Sequence, residues 1–156
     1  MKQEICSGLP EVLFFGTLSN ILRMEIQTEL KNFKARLDPL IEAYFDSVIK
    51  KLEKEDDLVA EAVGHVKTIV LSGGKRLRSA FMYYGYLGAG GTERDKILHT
   101  SMSIELIHSF LLIHDDIIDR DDMRHGVETL HKRYAELGRR FFAEKDVEHF
   151  GNSIAF

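Results

Sequence analysis

Apolar residues recur every three to four positions along most of the chain, which is the pattern of amphipathic helices. The first such run extends from about Arg23 to Leu52. Within it, Asp38-Pro39 is typical of an N-cap followed by the first helical position, so this stretch is either one helix or two. Two shorter helices are predicted over about 57–71 and 75–87.

A glycine-rich loop over 88–91 precedes the fourth predicted helix. Thr92 with Asp95 resembles a capping box at its start, and the apolar period continues to about Asp119. No segment alternates apolar and polar residues over the length of a strand. The expected fold class is all-α, with residues 1–22 as a poorly defined leader and 23–156 as one helical domain.

The composition fits a single globular domain and changes this picture little. The 156 residues are 44% hydrophobic and 29% charged, which excludes a disordered or low-complexity chain. A single cysteine, Cys6, excludes an internal disulfide framework and favours the cytoplasm. No apolar run reaches about 18 residues, so no stable membrane insertion is expected. A net charge of −4 argues against a nucleic-acid partner.

Carboxylates cluster at the end of the fourth helix. Asp115 and Asp119 are four residues apart on one face, and His108 lies seven residues before Asp115 on nearly the same line. Like charges at this spacing destabilise a helix by roughly a few tenths of a kcal/mol, and carboxylates at a helix C-terminus also oppose its dipole. A hard cation such as Mg²⁺ would offset both effects. The alternative is an acidic helix end solvated by water, although the surrounding apolar residues favour a binding site.

Cations cluster where the third helix is expected to begin. Lys75, Arg76 and Arg78 follow Gly73-Gly74, whose backbone can approach a ligand closely. Free N–H groups and the positive end of the helix dipole add to this positive field. The turn is therefore a candidate phosphate site, although it lacks the P-loop spacing. The alternative is a C-cap glycine followed by ordinary surface cations.

Together these motifs resemble those of the trans-isoprenyl diphosphate synthases. The chain carries GGKRLR at 73–78, ELIHSFLLIHDDIID at 105–119 and DMRHG at 122–126. The family has a GGKxxR turn, an ExxHxxxLxHDDxxD helix and an RRG turn in the same order. The resemblance implies a helical bundle of the isoprenoid synthase type, here its N-terminal half. It also implies a prenyltransferase that condenses isopentenyl diphosphate with an allylic diphosphate, usually as a homodimer.

The resemblance further implies a role for each motif residue. Asp115 and Asp119 would bind Mg²⁺, with Asp116 as a further ligand or orienting group, and the metal would clamp the allylic diphosphate. Arg124 would pair with that same diphosphate. The diphosphate of isopentenyl diphosphate would be held by Lys75, Arg78 and His108, with His125 at a further contact position.

Product length is also implied by the resemblance. Phe110 lies five residues before the first aspartate of the motif and is followed by Leu111. This combination is similar to that of archaeal-type geranylgeranyl diphosphate synthases. The expected product is therefore a short-chain isoprenyl diphosphate such as geranylgeranyl diphosphate.

The sequence departs from the family pattern at several positions. Ser79 stands where the family has Pro, and we expect it to affect only the start of the helix. His125 replaces the second Arg of RRG and is expected to bind diphosphate weakly and only when protonated. The family's second DDxxD motif is not among these residues. We therefore expect a truncated chain that is inactive alone.

Two alternatives of other classes stay open. One is a non-catalytic binding subunit derived from this family, and the other is a metal-binding helical module. Glu105-x-x-His108 also occurs in di-iron bundles, which need two such pairs and two further glutamates on facing helices. The stretch from Asp115 lacks the glycine and glutamate of an EF-hand.

Overall fold

Six helices and one short hairpin form the part of the chain that is described. A computed structural model describes residues 11–155, with side chains from residue 23 onward. The helices are α1 (Glu11–Leu52), α2 (Asp57–Leu71), α3 (Leu77–Gly88), α4 (Arg94–Asp119), α5 (Leu130–Gly138) and α6 (Glu144–Ala155). The antiparallel strands β1 (Met123–Arg124) and β2 (Val127–Glu128) pair between α4 and α5. The all-α class is confirmed, and the two-residue strands are too short to appear in a sequence pattern.

Helix α1 continues unbroken through Pro39, so the single-helix alternative is the one observed. A proline inside a helix costs about 3 kcal/mol or more. The apolar face that crosses it includes Phe33, Leu37, Ile41 and Phe45, all of which are buried. Each such side chain contributes about 1.5–3 kcal/mol on burial, so together they outweigh the cost of the proline.

Helix α1 also begins earlier than the sequence predicts. It starts at Glu11, inside the segment 1–22 that we expected to be a leader without regular structure. Residues 1–10, including Cys6, lie outside the described residues. The division of the chain at residue 22 stays a prediction.

Helices α2, α3 and α4 agree with their predicted ranges to within about two residues. Asp56 caps α2, and its carboxylate accepts hydrogen bonds from the backbone of Leu58 and Val59. The predicted capping box of α4 is wrong, because Glu93 rather than Thr92 is the N-cap and makes no side-chain cap hydrogen bond. Contacts with other helices, rather than this cap, therefore hold α4.

Helix α4 belongs to both hydrophobic clusters of the molecule. The larger cluster contains residues of α1, α2, α3 and α4. The smaller cluster contains residues of α2, α4, α5 and α6. By length and composition α4 could also cross a membrane. One third (33%) of its 18-residue apolar stretch is buried inside the protein. Its buried face carries Glu105 and Asp116, so the same properties fit a core helix. The candidate site lies along this helix.

Candidate functional site

Helix α4 presents three of the predicted site residues along one line. The helix is continuous from Arg94 to Asp119, so His108, Asp115 and Asp119 keep the common face that their spacing predicts. His108 is half-buried, whereas both carboxylates are exposed. This face therefore offers two solvent-accessible carboxylates beyond a histidine.

Asp116 lies on the buried side of the same helix, with 1% of its surface exposed. Its Oδ1 accepts a hydrogen bond from Nε of Arg124 at 2.6 Å, and Nη2 of Arg124 contacts the same oxygen. This hydrogen bond raises the pKa of the Arg124 guanidinium, while burial opposes the shift. Because Arg124 lies on β1, Asp116 fixes the hairpin beside the end of α4.

The side chains of Asp115, Asp116 and Asp119 therefore do not all lie on the same side of α4. Among the side chains described, those of residues 23–155, no three His, Cys, Asp or Glu form a group that could hold a metal ion. The two exposed carboxylates alone still suit Mg²⁺, which takes one or two carboxylates and leaves other positions to water and phosphate. Oδ2 of Asp116 is buried and has no partner among the described residues. A metal role for Asp116 stays a prediction, and its observed partner is Arg124.

The basic turn between α2 and α3 brings one predicted cation to the histidine of α4. Gly74 has a φ of 89°, a conformation that glycine adopts without strain. Lys75 and Arg78 are both exposed. Nη1 of Arg78 lies 2.9 Å from Nε2 of His108. The structure thus joins two of the sequence motifs directly.

His108 is neutral at pH 7. Burial first, and then the positive charge of Arg78, lower its pKa from the ordinary 6.5. Since a guanidinium can only donate, Nε2 of His108 accepts, and the ring proton resides on Nδ1. His108 therefore orients Arg78 without adding a charge.

The third cation of the turn is buried rather than exposed to a ligand. Arg76 is 4% exposed and has a φ of 54°. Its Nε donates to Asp38 at 2.8 Å, its Nη2 to the carbonyl of Val70 at 2.8 Å and its Nη1 to Glu105 at 3.3 Å. Ser79 donates to the other oxygen of Glu105 at 2.7 Å.

Sequence reasoning missed this arrangement. It grouped Arg76 with its neighbouring cations and assigned Ser79 an effect on the helix start alone. The available signal was Glu105, a carboxylate on the buried face of a core helix. A buried carboxylate of this kind needs a charged or hydrogen-bonding partner.

The hairpin completes the contact between the motifs. His125 has a φ of 50°, and its ring lies against Gly73. A Cβ added at Gly73 would stand 2.6 Å from Cγ of His125, so the turn needs glycine at this position. The basic turn therefore contacts the hairpin, the start of α3 contacts α4 at His108, and the hairpin contacts the end of α4 at Asp116. Cations and carboxylates on elements joined in this way suit a ligand with several anionic oxygens, such as a diphosphate with its metal.

Comparisons with known proteins show which family the chain resembles. The family model described as Polyprenyl synthetase matches residues 60–139. The chain is 33% identical over 118 residues to the geranylgeranyl diphosphate synthase of Methanosarcina mazei, covering 76% of this chain and 33% of that protein. It is 35% identical over 98 residues to the geranylgeranyl diphosphate synthase of Sulfolobus acidocaldarius, covering 63% and 26%. The chain thus spans about a third of the length of these relatives.

The fold is similar to that of a solved relative. The geranylgeranyl pyrophosphate synthase from Corynebacterium glutamicum, complexed with isoprenyl diphosphate and magnesium, matches with a TM-score of 0.71 and 33% identity. The match covers 81% of this chain and 37% of that one. The all-α architecture is therefore that of the isoprenoid synthase fold.

Proposed function

Since the chain belongs to the polyprenyl synthetase family, we propose that it forms part of a short-chain isoprenyl diphosphate synthase. The reaction is the condensation of isopentenyl diphosphate with an allylic diphosphate. The observation that carries this proposal is the 2.9 Å contact between Arg78 and His108, which joins the basic turn to the acidic helix. A cluster of cations beside exposed carboxylates suits a diphosphate better than a nucleic acid or a neutral ligand.

The allylic diphosphate is assigned to the end of α4 and the hairpin. Asp115 and Asp119 would hold Mg²⁺, with Asp116 available as a further ligand or as the group that orients Arg124. When bound, Mg²⁺ supplies positive charge that stabilises the departing diphosphate. Arg124 is held by Asp116 and would pair with the same leaving group. This hydrogen-bonded guanidinium needs little rearrangement as charge develops on the diphosphate.

Isopentenyl diphosphate is assigned to the basic turn. Lys75 and Arg78 would bind its diphosphate, and neutral His108 would keep the guanidinium of Arg78 directed at it. His125 offers a weaker contact, because it carries charge only when protonated. The double bond of isopentenyl diphosphate would then attack the allylic carbocation that forms as diphosphate leaves.

The product is proposed to be geranylgeranyl diphosphate. Phe110 is 55% exposed, and its ring centroid lies 4.2 Å from that of His114. It therefore lies outside the core, and helix geometry places it about 140° around α4 from Asp115. The relatives from Methanosarcina mazei and Sulfolobus acidocaldarius are both geranylgeranyl diphosphate synthases. A homodimer and a cytoplasmic location are proposed with this function.

Binding of inorganic diphosphate by the 156-residue chain tests the proposal. Isothermal titration is expected to show binding that depends on Mg²⁺. Asp115→Ala should weaken it by about tenfold or more, because a tenfold change corresponds to about 1.4 kcal/mol and one charged ligand is lost. Asp95→Ala is the matched control, since Asp95 is an exposed carboxylate in the first turn of the same helix. No binding, or equal weakening by both substitutions, would reject the assignment.

A further inference from the structure

We propose that Arg76 is a positioning residue that holds Arg78 against His108 through a buried network with Glu105. The inference rests on the proposed function, because the position of Arg78 matters only if this cation binds diphosphate. It assigns to a buried residue of the basic turn a role separate from that of its exposed neighbours. The argument starts from the contacts of the guanidinium.

Each nitrogen of the Arg76 guanidinium contacts a different part of the fold. Asp38 lies on α1, Val70 near the end of α2, and Glu105 on α4. Arg76 itself is the N-cap residue of α3. A single side chain thus ties the start of α3 to the three other helices of the main core.

The backbone at Arg76 indicates that these contacts determine the local conformation. Its φ of 54° and ψ of 33° place it in the left-handed region. An L-residue other than glycine rarely adopts this conformation, because its Cβ lies too close to a backbone carbonyl oxygen. No side-chain cap hydrogen bond compensates at this helix start. The ion pairs with Asp38 and Glu105 therefore hold the turn in a conformation that the backbone alone disfavours.

Two parallel bridges connect the start of α3 to α4. The inner bridge is the hydrogen bond from Ser79 to Glu105 at 2.7 Å, and both residues are buried. The outer bridge is the contact between Arg78 and His108 at 2.9 Å. Arg78 directly precedes Ser79, and His108 follows Glu105 by three residues, about one helical turn. Because the bridges share their backbones, a shift of the inner bridge displaces the outer one.

Ser79 makes this arrangement a feature of the present chain. It stands where the family pattern has proline, which has no hydroxyl to donate to Glu105. The carboxylate of Glu105 thus receives one hydrogen bond from Arg76 and one from Ser79. These two hydrogen bonds satisfy the carboxylate of Glu105, which is 4% exposed, and keep it facing α3.

Arg76→Lys keeps the positive charge but removes the planar guanidinium. The ammonium group of lysine cannot reproduce all three contacts that the guanidinium nitrogens make. Isothermal titration with isopentenyl diphosphate in the absence of Mg²⁺, which keeps the carboxylate site of α4 from contributing, is expected to show affinity at least about fivefold weaker than in the unchanged chain. In an Arg78→Ala background the same substitution should have no further effect, because the residue through which it acts is gone. Arg94→Lys is the control, since Arg94 is exposed at the start of α4.

A folded Arg76→Lys variant with unchanged affinity would overturn the proposal. An equal loss of affinity in both backgrounds would also overturn it, because the effect would then bypass Arg78. Circular dichroism at the titration temperature checks folding. If Arg76→Lys does not fold, Ser79→Ala is tested instead, because it removes only the inner hydrogen bond. Unchanged affinity in Ser79→Ala, or an equal loss with and without Arg78→Ala, would overturn the proposal.

A measurement without ligand separates this inference from the proposed function. The charged groups around His108 are Arg78, Glu105, Arg124 and Asp115. An NMR titration should show a higher pKa of His108 in Arg76→Lys, as in Arg78→Ala, because Arg78 no longer lies beside the ring. The signal of exposed His99 is the internal reference. An unchanged pKa of His108 overturns the positioning role, whereas failure of the unchanged chain to bind diphosphate rejects only the proposed function.

Discussion

Single buried ionic groups connect the elements around the site. Asp116 and Arg76 lie on different elements, and each is almost fully buried with a partner of opposite charge. Removing one partner of a buried pair leaves an uncompensated charge, which costs about 3–5 kcal/mol. Asp116 thus has a structural partner as well as a proposed ligand, whereas the partners of Arg76 are structural alone. Their substitution should therefore be interpreted together with a measurement of folding.

His65 gives the protein a predictable pH dependence. Burial first, and then Arg133, lower its pKa from 6.5, while Glu61 opposes the shift. As the pH falls through about 6.5, His65 therefore becomes protonated in the unfolded chain while it stays neutral in the folded protein. The free energy of unfolding consequently decreases until the pH reaches the lower pKa of His65 in the folded state. Urea unfolding at pH 5 and pH 7.5 should show a smaller difference in His65→Gln than in the unchanged chain. His99→Gln, at an exposed position, is the control, and an equal difference in all three proteins would contradict the expectation.

For individual residues, the sequence predicted which side chains share a helix face but not which side chains form ion pairs with each other. The common face of Asp115 and Asp119 follows from helix periodicity, and the structure has it. The pairing of Asp116 with Arg124 depends on a hairpin whose strands have two residues each. The burial of Arg76 depends on a carboxylate 29 residues later in the chain. Such long-range pairs carry no periodic signal.

At the element scale, close backbone contact determines how α5 and α6 pack. A Cβ at Gly151 would stand 2.4 Å from the carbonyl oxygen of His131 and 2.8 Å from the backbone nitrogen of Ala135. Gly151→Ala should therefore force the two helices apart and lower the free energy of unfolding by about 1–3 kcal/mol. Gly64→Ala is the control, because nothing lies within 4 Å of that position in the middle of α2. There the change should raise stability by about 0.5–1 kcal/mol in urea unfolding, and the same sign at both positions would contradict the packing argument.

The helices differ in how well the sequence predicts them. Those of the main core, α1 to α4, carry long apolar stripes, and their ranges were predicted except near residues 11–22 and at the cap of α4. Helix α5 has 9 residues and α6 has 12, so neither is stable without its partner. The tight contact between the two helices arises at glycines, which contribute nothing to an apolar pattern.

At the scale of the whole molecule, α3 and α4 leave apolar side chains uncovered next to the site. Ile107, Leu111 and Ile118 form a stripe on α4, and Leu77 and Phe81 lie on one face of α3. Phe81 is 79% exposed and Ile118 is 72% exposed. Exposed apolar surface of this extent is typical of a face that further protein covers. The described residues also offer carboxylates for metal from α4 alone, so we expect the 156-residue chain to bind diphosphate without turning over substrate.

A chimera tests this expectation at the scale of a complete synthase. The matched part of this chain would replace the matched 118-residue segment of the Methanosarcina mazei geranylgeranyl diphosphate synthase, which is about three times as long as the match. We expect the chimera to incorporate radiolabelled isopentenyl diphosphate into a longer product, while the 156-residue chain alone incorporates none. Asp115→Ala in the chimera should reduce the rate at least about a hundredfold, the scale expected when one group that stabilises developing charge is removed, whereas Asp95→Ala should not. A folded chimera that binds diphosphate but gives no product would instead favour a non-catalytic binding subunit, and equal rates with and without Asp115 would reject the metal role.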